Sequence, residues 1–316
     1  MAEVVTFGEA MLRLSPPGHG RIEQARVFEI WPAGAELNVA VGLARLGTST
    51  AWVSRLPRTP LARLVTAPAL AAGVDLDHLL WSDEDRLGLY FVEAGRPPRP
   101  TTALYDRAGS AFAGLDPNEL RWPEILADAR HFHVSGITPA LSPACARATE
   151  DGLTAARAAG CGTSYDLNLR RRLTTPGAAR AFLEGIAPQL DVLLCSDADA
   201  RKLFGEDSAA GLRARLGVPL VVVSGWETPE LRRRTAAAET TETIRRPRLE
   251  DAEPIGAGDA FCAGFLRGLL TGDLRQALRV GDAVSALKLT IPGDAPLVDP
   301  LEVEALLDGS AAVLER

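Results

Sequence analysis

Between residues 131 and 223 the chain alternates short apolar runs with longer stretches of helical periodicity, and no other feature limits its fold as strongly. The apolar runs are His131–Val134, Thr163–Tyr165, Val192–Cys195 and Leu220–Val223, and helical stretches at 142–159, 176–188 and 197–204 separate them. Runs apolar at nearly every position belong to strands buried on both faces, and strands joined through helices must lie parallel. The expectation is an α/β fold with a mainly parallel central sheet flanked by helices. Val4–Phe7 and Thr50–Arg55 add two strands around a helix at Glu36–Leu46 that Gly47 closes. Gly258–Leu270, Arg275–Leu289 and Leu301–Leu307 read as C-terminal helices. Four extended stretches stand outside this rhythm: Met11–Leu14, Arg26–Trp31, Leu87–Val92 and Thr101–Tyr105. They are expected to form a small antiparallel sheet beside the main body. Residues 228–250, with Arg232-Arg233-Arg234, read as a solvated loop, and no internal repeat or linker is visible.

Composition narrows the function classes. A chain of 316 residues that is 47% hydrophobic and 24% charged buries a core and is neither disordered nor fibrous. Its net charge of −7 offers no footprint for nucleic acid. No apolar stretch approaches the ~18 residues of a membrane span. The start, Met1-Ala-Glu-Val-Val-Thr-Phe, lacks the basic-then-apolar pattern of a secretory leader. Cys145, Cys161, Cys195 and Cys262 are widely separated, which fits free buried thiols and a cytoplasmic protein. Only Lys202 and Lys288 are lysines among 34 basic residues, so 32 are arginines. Phosphate must therefore be held by arginine, backbone N–H groups or a metal.

The sharpest local signal is Pro254-Ile255-Gly256-Ala257-Gly258-Asp259-Ala260-Phe261, running into an apolar helix. Glycines at a helix start leave backbone N–H groups open to an anion, and the helix dipole favours negative charge there. Asp259 in that turn can accept a proton, or it can be an ordinary N-terminal capping residue. The element is not a dinucleotide fingerprint, because the third glycine would fall on Phe261, and no P-loop occurs anywhere. His131 and His133 share one strand face, yet no nearby ligands complete a metal site. Ser196-Asp197-Ala198-Asp199 reads as a capped helix start with acidic first-turn residues.

Gly256-Ala257-Gly258-Asp259 before a C-terminal helix resembles the anion hole and catalytic Asp of the ribokinase-like (PfkB) sugar kinases. Ala33-Gly34-Ala35-Glu36-Leu37-Asn38 resembles that family's sugar-binding turn, and the resemblance covers essentially the whole chain. It implies one ribokinase-like domain over residues 1–316, with lid segments at about 10–33 and 85–107. Within the family, Gly88–Glu93, Tyr105–Ala111 and Asp166-Leu167-Asn168-Leu169-Arg170 look most like 2-keto-3-deoxygluconate kinases. That likeness implies Gly34, Asn38, Tyr90, Tyr105, Arg107 and Asp294 at the sugar, with Arg170 on its carboxylate. A guanidinium suits bidentate carboxylate recognition, and tyrosines offer a flat face with a hydroxyl. By the same likeness Asn168, Ser224, Gly225, Gly256 and Gly258 meet the nucleotide. Asp259 acts as base, and backbone at Gly256, Ala257 and Gly258 stabilises the phosphoryl group. The cofactors implied are ATP and Mg2+, with a monovalent cation near position 253, and the partner is a second copy paired through the lid.

Three departures from the family pattern stand out. Val221-Val222-Val223 continues as Ser224-Gly225-Trp226-Glu227, without the usual Lys and second Gly around the nucleotide. Glu253 replaces the Asp usual three residues before the anion hole. Pro57 and Ala62 stand where glycines are expected. Two alternatives therefore remain open at this point: a fructose, ribose or nucleoside kinase, and a catalytically weak or inactive sugar-binding relative.

Overall fold

The computed structural model describes residues 2–227, 230–236, 243–247 and 253–309. Its first half comprises β1 (Val4–Phe7), β2 (Met11–Ser15), β3 (Glu29–Ala33), α1 (Ala35–Arg45), β4 (Thr50–Pro57), α2 (Pro60–Ala71), β5 (Val74–Asp75) and β6 (Leu79–Ser82). Then come β7 (Gly88–Glu93), β8 (Thr102–Asp106), α3 (Trp122–Ile125), β9 (His131–Ser135), α4 (Pro143–Ala158), β10 (Gly162–Asp166) and α5 (Pro176–Ile186). The chain continues through β11 (Val192–Ser196), α6 (Asp197–Phe204), α7 (Ala209–Leu216), β12 (Leu220–Glu227), β13 (Glu230–Ala236) and β14 (Thr243–Pro247). It closes with α8 (Ala257–Thr271), α9 (Leu274–Lys288) and α10 (Pro300–Leu307).

The main sheet has the order β14-β13-β12-β11-β10-β9-β1-β4-β5, with β6 also paired to β4. It is parallel from β12 through to β5 and β6, as the alternation predicts. Successive side chains of a strand face opposite ways, and both faces here are covered. Val5, Phe7, Leu193 and Cys195 join the core under α4 and α5, whereas Val4, Val192, Leu194 and Val222 pack toward α8. On the first face Trp122 stands edge-on to Phe7 and Phe132, with ring centroids 5.1 and 5.3 Å away. On the second, α8 and α9 approach closely at glycines: a Cβ on Gly264 would lie 2.8 Å from the Gly281 Cα.

Two expectations are corrected. Part of the supposed loop at 228–250 forms β13 and β14, which extend the sheet antiparallel from β12. Arg232-Arg233-Arg234 lacks the apolar run that marks a buried strand, so a hydropathy reading passes over β13 although it is paired on both sides. The small sheet, ordered β3-β2-β7-β8, is mixed rather than antiparallel, because β2 and β7 pair in parallel. Each leaves the main sheet by a short link, β2 from β1 and β7 from β6. Those two strands run the same way, so β2 and β7 do as well. Among the described residues no helix is long and apolar enough to cross a membrane.

Candidate active site

In an open parallel sheet, ligands sit in the crevice beyond the carboxyl ends of the strands. Here Glu9 follows β1, Asp166 ends β10 and Ser196 ends β11, and all three line one cavity of about 550 Å³ that the small sheet partly covers. The cavity also takes in Gly34, Asn38, Tyr90, Tyr105, Arg107, Asn168, Arg170, Ser224, Gly256, Gly258, Asp259 and Asp294. Two of the residues expected at the site, Ala257 and Gly225, do not line it. The Ala257 N–H donates to Pro254 O at 3.3 Å, and Gly225 is packed where a Cβ would come 2.5 Å from Oδ2 of Asp197.

Asp259 lies in the first turn of α8, and its Oδ2 accepts a hydrogen bond from Asn38 Nδ2 at 2.7 Å. Burial pushes its carboxyl up to about 7, with Asp294 and Glu36 adding repulsion against the lowering pull of Asn38 and Arg170. Asp166 is likewise pushed up to about 7, first by burial and then by the charge of Asp259. An ionised Asp259 thus opposes ionisation of Asp166. Gly256 begins α8 at φ +80, and the backbone carbonyl of Asp294 occupies the place a Cβ would take. Only glycine satisfies both conditions, so the turn can present the unpaired N–H groups of a helix start to an anion.

The small sheet supplies the other wall. Tyr90 and Tyr105 are opposite neighbours on β7 and β8, with rings stacked at 5.3 Å and 11°. The Tyr90 hydroxyl donates to Asp294 Oδ2. Arg107 is buried over Tyr105 and is paired with Glu9, which also accepts from Ser110, so its charge is already balanced. Arg170 is different: it is exposed at the cavity rim and makes no ion pair among the described residues. The segment reaching it alternates, with Asp166, Asn168 and Arg170 toward the cavity and Leu167 and Leu169 in the core. Asn168 adopts φ +36, a left-handed conformation that Asn tolerates better than most residues.

Sequence reading missed several groups around this cavity. Glu9, Glu36 and Asp166 line it, beside Asp199 of the helix start that the sequence already singled out. Glu36 is buried and accepts from Ser135 N at 2.9 Å, Ser135 Oγ at 2.8 Å and Thr138 Oγ1 at 2.7 Å. A charged residue on the apolar face of α1 was its only signal. Arg13, also buried, bridges Glu253 at 3.1 Å and Asp294 at 3.0 Å. His131 and His133 both hydrogen-bond Ser164 Oγ at 2.8 Å, and burial lowers them to about 4 and about 3, so both are neutral. The helix start at Ser196 is as expected, with Ser196 Oγ accepting from Asp199 N at 3.0 Å. All four cysteines are buried, and none is in a disulfide.

The fold and cavity are those of an α/β phosphotransferase acting on a small polar alcohol. The sequence profile of the pfkB family carbohydrate kinases matches residues 1–299, and the chain belongs to that family. It is 42% identical over 321 residues to a 2-dehydro-3-deoxygalactonokinase of Haloferax volcanii, covering 100% of this chain and 99% of the relative. The crystal structure of a 2-dehydro-3-deoxygluconokinase from Thermotoga maritima superposes with a TM-score of 0.90 at 32% identity, covering 98% of this chain and 100% of that one. A putative ribokinase II from E. coli, solved in complex with ATP and Mg2+, shares the fold with a TM-score of 0.88 at 22% identity, covering 98% and 100%.

Proposed function

We propose that this sugar kinase transfers the γ-phosphoryl group of ATP to the terminal hydroxyl of a 2-keto-3-deoxy sugar acid of the gluconate or galactonate type. One observation carries the reading: Asp259, at a glycine-flanked helix start, shares a cavity with Arg170, a guanidinium that makes no ion pair among the described residues. Arg170 would take the substrate carboxylate in a bidentate pair, and the stacked tyrosines would form a wall against the sugar chain. Asn38 Oδ1 is buried without a partner and would accept from a sugar hydroxyl. The names of the Haloferax volcanii relative and of the Thermotoga maritima structure support the substrate class.

In the reaction, Asp259 accepts the proton of the terminal hydroxyl while that oxygen bonds to the γ-phosphorus, and ADP leaves with the bridging electron pair. N–H groups at Gly256 and Gly258 stabilise the transferring phosphoryl group. Asp166 and Asp199 offer hard oxygen donors on the same wall, which suits a Mg2+ held by one or two carboxylates together with the phosphates. When bound, that ion neutralises phosphate charge. Asn168 and Ser224 would face the nucleotide. We read residues 1–316 as one kinase domain acting in the cytoplasm, the small sheet serving as lid and as the pairing surface of a homodimer. Ile30 and Leu104 are exposed on that sheet, at 49% and 52%.

One observation favours the second reading, a sugar-binding relative of low activity: β12 continues as a strand to Glu227 and pairs with β13. Coupled ADP release with Mg·ATP separates the readings, using both keto-deoxy acids, fructose, ribose and a nucleoside, with Asp259→Asn as control. Turnover of the acids above the neutral sugars is expected. Sugar binding with no ADP release from any of them would overturn the kinase reading.

A further inference from the structure

One of the two lysines of this chain is buried beneath the phosphate-facing turn. Lys288, the last residue of α9, has 0% of its surface exposed, and its Nζ donates to Ile291 O at 3.0 Å. An ammonium is strongly hydrated, and burying one is unfavourable unless opposite charge surrounds it. Glu253, Asp294 and Asp259 supply that charge and act to keep the ammonium protonated against the effect of burial. Arg13, 3% exposed, completes the arrangement by bridging Glu253 and Asp294. Two fixed cations thus face the carboxylates of Glu253 and Asp294.

This cluster is tied to the turn that begins α8 at several points. Ser285 Oγ donates to Ala257 O at 3.0 Å, and Glu253 N donates to Leu289 O at 2.9 Å. Gly256 rests against the Asp294 carbonyl. The loop from Leu289 to Asp294 is therefore the floor of the glycine turn, and Lys288 pins that loop from inside. Arg13 already holds Glu253 Oε1 and Lys288 the Ile291 carbonyl, so the positive charge that a soluble monovalent cation would bring beside Glu253 is supplied by the chain itself.

We propose that Lys288, backed by Arg13, is a built-in cation that holds the anion-binding turn of α8, so the enzyme works without a soluble monovalent cation. Lys288 is a positioning residue: it acts through the loop and the glycine turn and does not touch substrate. The inference rests on the kinase reading for its catalytic consequence but not for its structural one, so two arms test it.

The first arm needs no substrate. Melting of the wild-type protein is compared in potassium chloride and tetramethylammonium chloride at equal ionic strength. A cation bound to the folded state would raise the melting temperature by mass action; equal values are expected, and a higher value in potassium overturns the proposal. The second arm measures ADP release in the same two salts. Equal rates are expected, and activation by potassium of about tenfold, the scale of losing a positioning partner, overturns it. Lys288→Met should lower kcat about 10–100-fold with KM for the sugar acid nearly unchanged, and a wild-type kcat in that variant overturns the role given to Lys288. In Lys288→Ala, potassium but not tetramethylammonium should restore part of kcat, by filling the vacated charge. If Lys288→Met does not fold, Lys288→Ala decides the role: equal kcat in the two salts overturns it. Absence of ADP release with every sugar in both salts would count against the kinase reading alone, leaving the melting comparison to decide this one.

Discussion

An Asp259→Asn substitution separates the chemical task of this carboxyl group from what its placement does to the fold. The environment moves Asp259 from its ordinary 3.8 to about 7. At about 1.4 kcal/mol per pH unit, that withholds about 4 kcal/mol from the ionised native state. Asp166, raised to the same value, shares the field and can take up part of the proton, so about 2–4 kcal/mol is the expected range. Between pH 4 and pH 7 the unfolded chain loses this proton while the folded protein keeps it, so wild-type stability falls as pH rises through that window. Above about pH 7 both states are ionised and the penalty is constant. Asn carries no such penalty and can still accept from Asn38. Asp259→Asn should therefore match the wild type near pH 4 and melt several degrees higher at pH 8, while kcat drops about 10²–10⁴-fold. Thermal melts of both proteins across pH 4–9, read beside coupled ADP release, make the test. A variant no more stable at pH 8 would refute the burial argument, and one retaining kcat would refute the role of base. In the wild type, kcat/KM should climb with pH and level off above about 7 as the base ionises.

Arg170→Ala should raise KM for the keto-deoxy acids about 10–100-fold, the worth of a charge-assisted bidentate pair, and leave fructose or ribose kinetics unmoved; initial-rate kinetics on both substrate classes check it. Gly256→Ala forces a Cβ against the Asp294 carbonyl at a left-handed φ, so a loss of about 2–4 kcal/mol in urea unfolding and a collapse of kcat are expected. Ser164→Ala removes the hydroxyl shared by His131 and His133. It should lower the urea midpoint by the equivalent of about 1–3 kcal/mol with an unchanged slope.

How far the sequence could be read follows from whether each feature is local. Gly256 to Asp259 was legible because a glycine turn, a helix start and an acid stand in one contiguous stretch. The strands His131–Val134 and Val192–Cys195 were legible because burial on both faces leaves apolar runs. Arg13 could not be read: its partners Glu253 and Asp294 are more than 200 residues away in the chain and meet it only through the fold. Arg107 was visible as a candidate, but not the Glu9 that neutralises it, since the two stand 98 residues apart in the chain and meet only through the fold. β13 and β14 were missed because their arginine-rich sequences carry no apolar run. The parallel pairing of β2 with β7 depends on the direction of β6, a strand of four residues with no signal of its own. Lysine scarcity was plain from the start, yet only the structure places Lys288 beneath the phosphate-facing turn.

The central claim is regiospecific phosphoryl transfer to a keto-deoxy sugar acid, and the position of the new phosphate tests it most directly. Phosphorus and proton NMR of the product formed with Mg·ATP should show the phosphate ester on the terminal carbon of 2-keto-3-deoxygluconate or its galactonate counterpart, in one-to-one ratio with ADP. ADP accompanied only by inorganic phosphate, or an ester at any other carbon, would contradict the account.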